Sequence, residues 1–288
     1  MLESMVNPKR MEKGPLKMFF LGLVYASLSL LLVKLFFSSD PVLSQYSGMI
    51  VVTFCVMFSL PFFYYITMRE EEEDERITGF KSVWIIHKDA IFSFMWLFIG
   101  FIVAFSFWFI ILQDSTLFNA QIETFCRINS PGKIQDCVSQ YDFATSVGTG
   151  AVTGSATNGL RFLSIIENNV YVMIFTLLLS LIFGAGAIFV LAWNASVIAA
   201  AVSIFTQHTL KGIPLGITRY MVHGFPEIAA YFITALAGGI FGVGILRNGI
   251  HGKKFIHIFE NVMILLFIAL LILVIAAGIE VYITPLLF

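Results

Sequence analysis

The chain carries a succession of apolar runs, each close to the length that crosses a bilayer as a helix, and nothing else in it restricts the fold so strongly. Hydrocarbon offers no water to a backbone amide, so each run must pair its amides within itself and form a helix. The expected fold is therefore all-α: a polytopic integral membrane bundle with about seven membrane segments. Composition points the same way. Of the 288 residues only 12% are charged and 58% are hydrophobic, against about 25% charged in an ordinary soluble domain. A net charge of −1 argues against a nucleic-acid partner, and the partner implied is the lipid bilayer.

The first spans run over about Leu16–Phe37, Ser47–Thr67 and Ala90–Leu112. Lys34 can snorkel to the headgroups, and Pro61 is expected to kink the second span. No small-residue cleavage site follows the first run, which therefore reads as a retained signal anchor. Val170–Phe205 is too long for one helix and long enough for a tight pair. Gly184-Ala185-Gly186 is the first candidate for its break and Trp193-Asn194 the second. Two further spans cover about Pro226–Leu246 and Phe255–Ile279.

Lys and Arg concentrate in the N-terminal cluster, the 68–88 loop and the 247–254 loop. Placing all three in the cytoplasm requires an odd number of crossings. Seven satisfies this, with the N-terminus cytoplasmic and Val170–Phe205 crossing twice; a re-entrant hairpin there is the competing arrangement. The layout becomes a three-helix membrane region with an acidic cytoplasmic loop (1–112, loop 68–88), an extracytoplasmic loop (113–169) and a C-terminal membrane core (170–288), in the cell membrane. Cys126 and Cys137 both fall in the outer loop, where an oxidising compartment favours a disulfide between them over two free thiols. Cys55 reads as a small core residue.

Several polar segments are candidates for chemistry. Glu70-Glu71-Glu72-Glu73-Asp74-Glu75 reads as a solvated extension of the second helix, with a docking site for a basic partner as the sharper alternative. The glycine-rich 148–159 stretch resembles a linker and lacks the lysine and preceding strand of a phosphate loop. Phe162–Asn169 suits a short amphipathic helix along the interface, delivering Asn168 and Asn169 to the mouth of the next span. Asn194 sits within apolar sequence and must find hydrogen-bond partners. In His223-Gly224-Phe225-Pro226-Glu227, Pro226 suits a first helical position and Glu227 its positive dipole end. The Gly-Phe-Pro between His223 and Glu227 leaves open whether they share a helical face.

Gly238, Gly239 and Gly242, with Gly224, Gly184 and Gly186, permit close helix approach within a bundle or across a homodimer. No metal-ligand spacing, cofactor motif or nucleophile constellation stands out. His87, His208, His251 and His257 lie at helix ends or loops, where interfacial solvation explains them.

Taken in order, Asn168-Asn169, Gly184 and Gly186, Asn194, His223-Gly224 with Glu227, and Gly238-Gly239 resemble the stage II sporulation protein M (SpoIIM) family. The motifs span about Phe162–Ile245. Ala195 follows the asparagine where the family pattern has glycine, and Val222 precedes the histidine where it has proline, which marks a divergent member. The namesake of the family is a membrane anchor that recruits a peptidoglycan-remodelling complex and is not itself the hydrolase. For this chain the resemblance implies a multi-pass core with a shared polar site.

Two functional readings follow. The first is a non-enzymatic scaffold or assembly subunit holding membrane or extracytoplasmic protein partners. The alternative is a small permease or channel-like subunit, with Asn194, His223 and Glu227 lining a path through broken helices. An intramembrane enzyme rests only on that His and Glu. Depth separates the readings: convergence on a hydrated mid-membrane cavity favours transport, and hydrogen-bonded helix ends favour a scaffold.

Overall fold

The computed structural model describes residues 15–74, 80–129, 133–140, 158–183, 188–206, 209–249 and 251–287. Among them there are helices and no strands. Seven helices are long and apolar enough to cross a membrane: α1 (Pro15–Phe36), α2 (Ser47–Asp74), α3 (Phe80–Leu112), α6 (Asn158–Phe183), α7 (Ile188–Phe205), α8 (Ile213–Asn248) and α9 (Lys253–Gly278). Two short helices, α4 (Asn119–Asn129) and α5 (Ile134–Gln140), lie between α3 and α6, and α10 (Thr284–Leu287) ends the chain.

Side-chain pairing fixes the direction of each helix. Asn169, on α6, meets residues 58 and 62 positions later on α8, and Ser180 meets one 55 positions later. A near-constant offset means that α6 and α8 run parallel, so α7 carries the chain back across between them. Val170–Phe205 therefore crosses twice. By the same test α1 runs parallel to α3, with partners 81 and 80 residues ahead. From Phe63 to Glu70 along α2, the partner on α3 retreats from Phe94 to His87, which makes that pair antiparallel. The loops after α1, α3, α7 and the end of α9 consequently share one side. The ends of α2, α6 and α8 share the other.

Aromatic side chains fill the interior because a helix buried on most of its circumference needs large apolar volume. Phe94 stacks on Phe63 at 4.1 Å between ring centroids and on Phe232 at 5.4 Å, joining α3 to α2 and α8. Residues 230–240 of α8 are all buried, so this helix is the axis of the bundle. Where helices approach most closely, glycine supplies the clearance. A Cβ at Gly22 would lie 2.3 Å from the Leu97 carbonyl oxygen and one at Gly100 would lie 2.3 Å from that of Phe19, so α1 and α3 touch backbone to backbone.

Three local expectations are corrected. Pro226 does not begin a helix: α8 starts at Ile213 with Pro214 in its first turn and continues through Pro226. Proline in the first turn costs no helical hydrogen bond, and the internal proline is tolerated because neighbouring helices constrain this stretch. Phe162–Asn169 is not a separate interfacial helix but the first part of α6, continuous with the span. The acidic block is not simply solvated, as the buried positions of Glu70 and Glu71 described below show. Pro61 lies inside α2, which continues past it.

Candidate functional site

The continuity of α8 decides the site. His223, Glu227 and Tyr231 recur every fourth residue and so share one face. Against that face lies the fourth turn of α6. Asn169 donates its amide Nδ2 to Glu227 Oε1 at 2.8 Å and accepts the Tyr231 hydroxyl on Oδ1 at 3.0 Å. Asn169 is 5% exposed and Tyr231 3%, with Glu227 half-buried beside them, so the Asn169–Tyr231 bond is shielded from water, where each bond is strengthened and each unmade one costly. Asn168 points outward and donates to Asn169 Oδ1 at 3.4 Å.

The end of α9 closes the cluster. Residues Ile279–Ile283 form a π turn, in which the backbone N–H of Thr284 reaches the Ile279 carbonyl. Such one-residue expansions recur at functional sites because they re-aim side chains. Here the turn brings Thr284 Oγ1 within 3.2 Å of His223 Nδ1 while the hydroxyl donates to the Ile279 carbonyl at 3.2 Å. Glu280, also in the turn, lies 3.9 Å from Arg161 at the start of α6. Chemically this is a clamp: an amide, a phenol, a carboxylate and an imidazole fix α6, α8 and the end of α9 to one another.

A second polar cluster lies at the C-terminal end of α8. Arg247 donates from Nη1 to Glu71 Oε2 at 2.6 Å, and His87 Nδ1 contacts Glu70 Oε2 at 2.6 Å. Glu70, Glu71 and His87 are 1%, 0% and 0% exposed. The expectations of a solvated acidic block and an interfacially solvated His87 therefore fail at these residues. Burying a carboxylate requires a partner, and the partners come from α3 and α8, too distant in sequence to be read from it. Some 20 residues of α8 separate Glu227 from Arg247, about 30 Å at the helical rise and close to the thickness of a bilayer's hydrocarbon core. With the hydrocarbon core set along α8 in this way, the clusters mark its two borders.

The first border also carries the segment between α3 and α6. Lys34 pairs with Asp114 instead of reaching freely to the headgroups. Burial raises the Asp114 pKa, but the Lys34 ammonium and the Thr116 hydroxyl and amide together hold it below the usual carboxylate range. Asp40 in the neighbouring turn is also lowered, by the Leu43 and Val42 amides that it accepts. Cys126 and Cys137 form a disulfide joining α4 to α5. Gln121, fully buried, donates from Nε2 to the Gly48 carbonyl at 3.0 Å and to Ser196 Oγ at 3.1 Å, tying α4 to α2 and α7.

The remaining sequence candidates separate. Asn194 donates to the Val190 carbonyl on its own helix at 2.7 Å and does not join His223 and Glu227 in hydrogen bonding. Gly238 and Gly242 face α6: a Cβ at Gly242 would stand 2.6 Å from the Leu181 carbonyl oxygen, and one at Gly238 2.8 Å from Ser180 Cβ. Gly239 lies in the buried stretch of α8, and Gly224 faces only the flexible end of Met221. Gly184 and Gly186 lie outside the described residues. Among the described residues no group of three or more His, Cys, Asp or Glu is placed to hold a metal ion. Tyr231, Glu280, Arg161 and Thr284 were missed. Only the i+4 spacing of Tyr231 from Glu227 signalled any of them.

Neither the curated proteins nor the solved structures yield a match to this chain. A family model does. The one described as stage II sporulation protein M matches residues 50–285, from the start of α2 to the π turn and including both polar clusters. With that match across most of its length and the Asn169–Glu227 clamp within it, this seven-helix membrane protein belongs to the SpoIIM family.

Proposed function

We propose that the protein is a non-enzymatic scaffold or assembly subunit of the cell membrane. In this reading the N-terminus and the turns after α2 and α8 face the cytoplasm, where basic residues are concentrated. The disulfide-closed segment faces outward, consistent with an oxidising compartment. The carrying observation is the distribution of polar groups along α8. They cluster around Glu227, fourteen residues into the helix, and at Arg247 near its C-terminus, about 30 Å apart, and bond to neighbouring helices instead of lining a path. Between them residues 232–240 are buried; Thr234, the polar side chain there, gives its hydroxyl to the Ala230 carbonyl of its own helix at 2.8 Å.

A bundle held in this way presents fixed surfaces on both sides of the membrane, which is what a scaffold requires. Protein partners in the membrane or outside it, and the absence of catalysis, belong to the same proposal. The test combines two measurements on purified protein. Affinity capture from its native membrane, with quantification against an α4–α5 deletion, is expected to recover stoichiometric partners that the deletion loses. Reconstituted liposomes are expected to show no flux above empty vesicles for ions or small polar solutes. Specific flux abolished by Glu227→Gln in a folded protein would overturn the proposal in favour of a permease.

A further inference from the structure

On the side of the bundle that carries the disulfide lies a cavity of about 310 Å³, lined by Ser44, Gln45, Thr116, Asn119, Ile122 and Val138 among others. From its chemistry we infer a binding site for a neutral, hydroxyl- and carboxamide-bearing ring of monosaccharide size.

The walls are fixed before any ligand arrives. Asn119 donates to the Gln45 carbonyl at 2.5 Å, joining the turn before α2 to the start of α4. Asp114 accepts the Thr116 amide at 3.1 Å and its hydroxyl at 2.5 Å, holding the turn that precedes α4. The Cys126–Cys137 disulfide holds α5, and with it Val138, against α4. A preformed site spares a ligand the ordering cost that weakens binding to loose loops.

The lining determines the ligand class. Every side chain around the cavity is uncharged, so an ionised ligand would lose hydration without a compensating charge. Ser44 offers a hydroxyl, Gln45 and Asn119 each keep one amide N–H beyond those given to the Pro41 and Gln45 carbonyls, and Thr116 offers an acceptor oxygen, its proton going to Asp114. Ile122 and Val138 supply an apolar patch for a ring face or a methyl group. The volume lies at the lower end of the range for small-molecule sites, which restricts the occupant to one ring. An N-acetylated hexosamine unit combines these features: hydroxyls, one amide and one methyl, without charge.

The test is saturation-transfer NMR on the full-length protein in nanodiscs, with N-acetylglucosamine as probe and glucosamine, its cationic counterpart, as comparison. Saturable transfer is expected from N-acetylglucosamine with a Kd of about 1 mM, the affinity a ligand of about 15 heavy atoms reaches at ordinary efficiency. Glucosamine is expected to bind at least about tenfold more weakly. Val138→Trp fills the cavity from α5 and Ser44→Trp closes it from the opposite wall; each is expected to abolish transfer while thermal stability and monodispersity remain. If one variant fails to fold, the other carries the test. No saturable transfer, transfer that survives the folded variant, or equal binding of glucosamine would overturn the inference. None of these outcomes bears on the scaffold reading, which rests on α8.

Discussion

Asn169 and Glu227 are 58 residues apart in sequence and 2.8 Å apart in space, and their hydrogen bond joins two parallel helices that a third helix separates along the chain. The carboxylate is held by the amide on one side, and the amide oxygen is held by Tyr231 on the other. Glutamine at position 227 keeps an acceptor for Asn169, so Glu227→Gln is expected to lose less than about 1 kcal/mol. Asn169→Leu leaves Glu227 and Tyr231 without this partner in a buried place and is expected to cost about 2–3 kcal/mol. Thermal or chemical unfolding in detergent separates the two, and equal losses would show that the hydrogen bonds are not what holds α6 to α8.

The glycines of α8 make a steric prediction. Gly242→Val places a side chain where a Cβ alone would be 2.6 Å from the Leu181 carbonyl oxygen. Backbone cannot give way as a side chain does, so a loss of about 2–3 kcal/mol is expected from separating α6 and α8. Gly224→Ala meets only the Met221 methyl, at 3.3 Å, and is expected to change stability by less than about 0.5 kcal/mol. Unfolding midpoints of the two variants against wild type are the check.

At the opposite border, His87→Ala leaves Glu70 buried without its imidazole partner. Stranding one member of a buried pair costs about 3–5 kcal/mol. Combining His87→Ala with Glu70→Leu removes both groups and is expected to recover much of that loss. A double-mutant cycle measures the difference, and a double variant no more stable than His87→Ala would contradict the pairing.

The disulfide closes a loop of sequence separation 11. Loop-closure entropy for that length corresponds to about 3 kcal/mol in favour of the folded state. Cys126→Ala/Cys137→Ala is expected to lose stability on that order in α4 and α5, with the seven spans intact. Hydrogen exchange, read helix by helix, distinguishes this from global destabilisation.

Asp114 predicts an acid dependence. Its pKa is lowered in the folded protein, as burial is outweighed by Lys34 and Thr116. A lowered carboxylate contributes stability that is present above its unfolded value, about 3.9, and is lost as pH falls through the folded value. Stability should therefore decline below about pH 4. Asp114→Asn is expected to flatten that decline and to cost about 1 kcal/mol at neutral pH. Unfolding measured from pH 3 to 7 in both proteins checks the sign.

Some of this was readable from the chain alone. Helical crossing follows from apolar runs of bilayer length, because the amide's need for a partner in hydrocarbon is local to each run. The odd number of crossings followed from where Lys and Arg lie, and Val170–Phe205 had to be broken because its length exceeds one span. The polar residues Asn169, His223 and Glu227 could be singled out because such residues are expensive near the membrane interior.

What those residues do was settled only by packing. Whether Pro226 began or merely interrupted a helix depended on the neighbours that hold α8 together, and that decided whether His223 and Glu227 share a face. Glu70 and Glu71 read as solvated because six consecutive acids repel one another and favour water. Their burial depends on His87 and on Arg247, the latter 176 residues beyond Glu71. A charge is buried only where an opposite charge arrives, and which helices arrive together is a property of the assembled bundle, not of any one run.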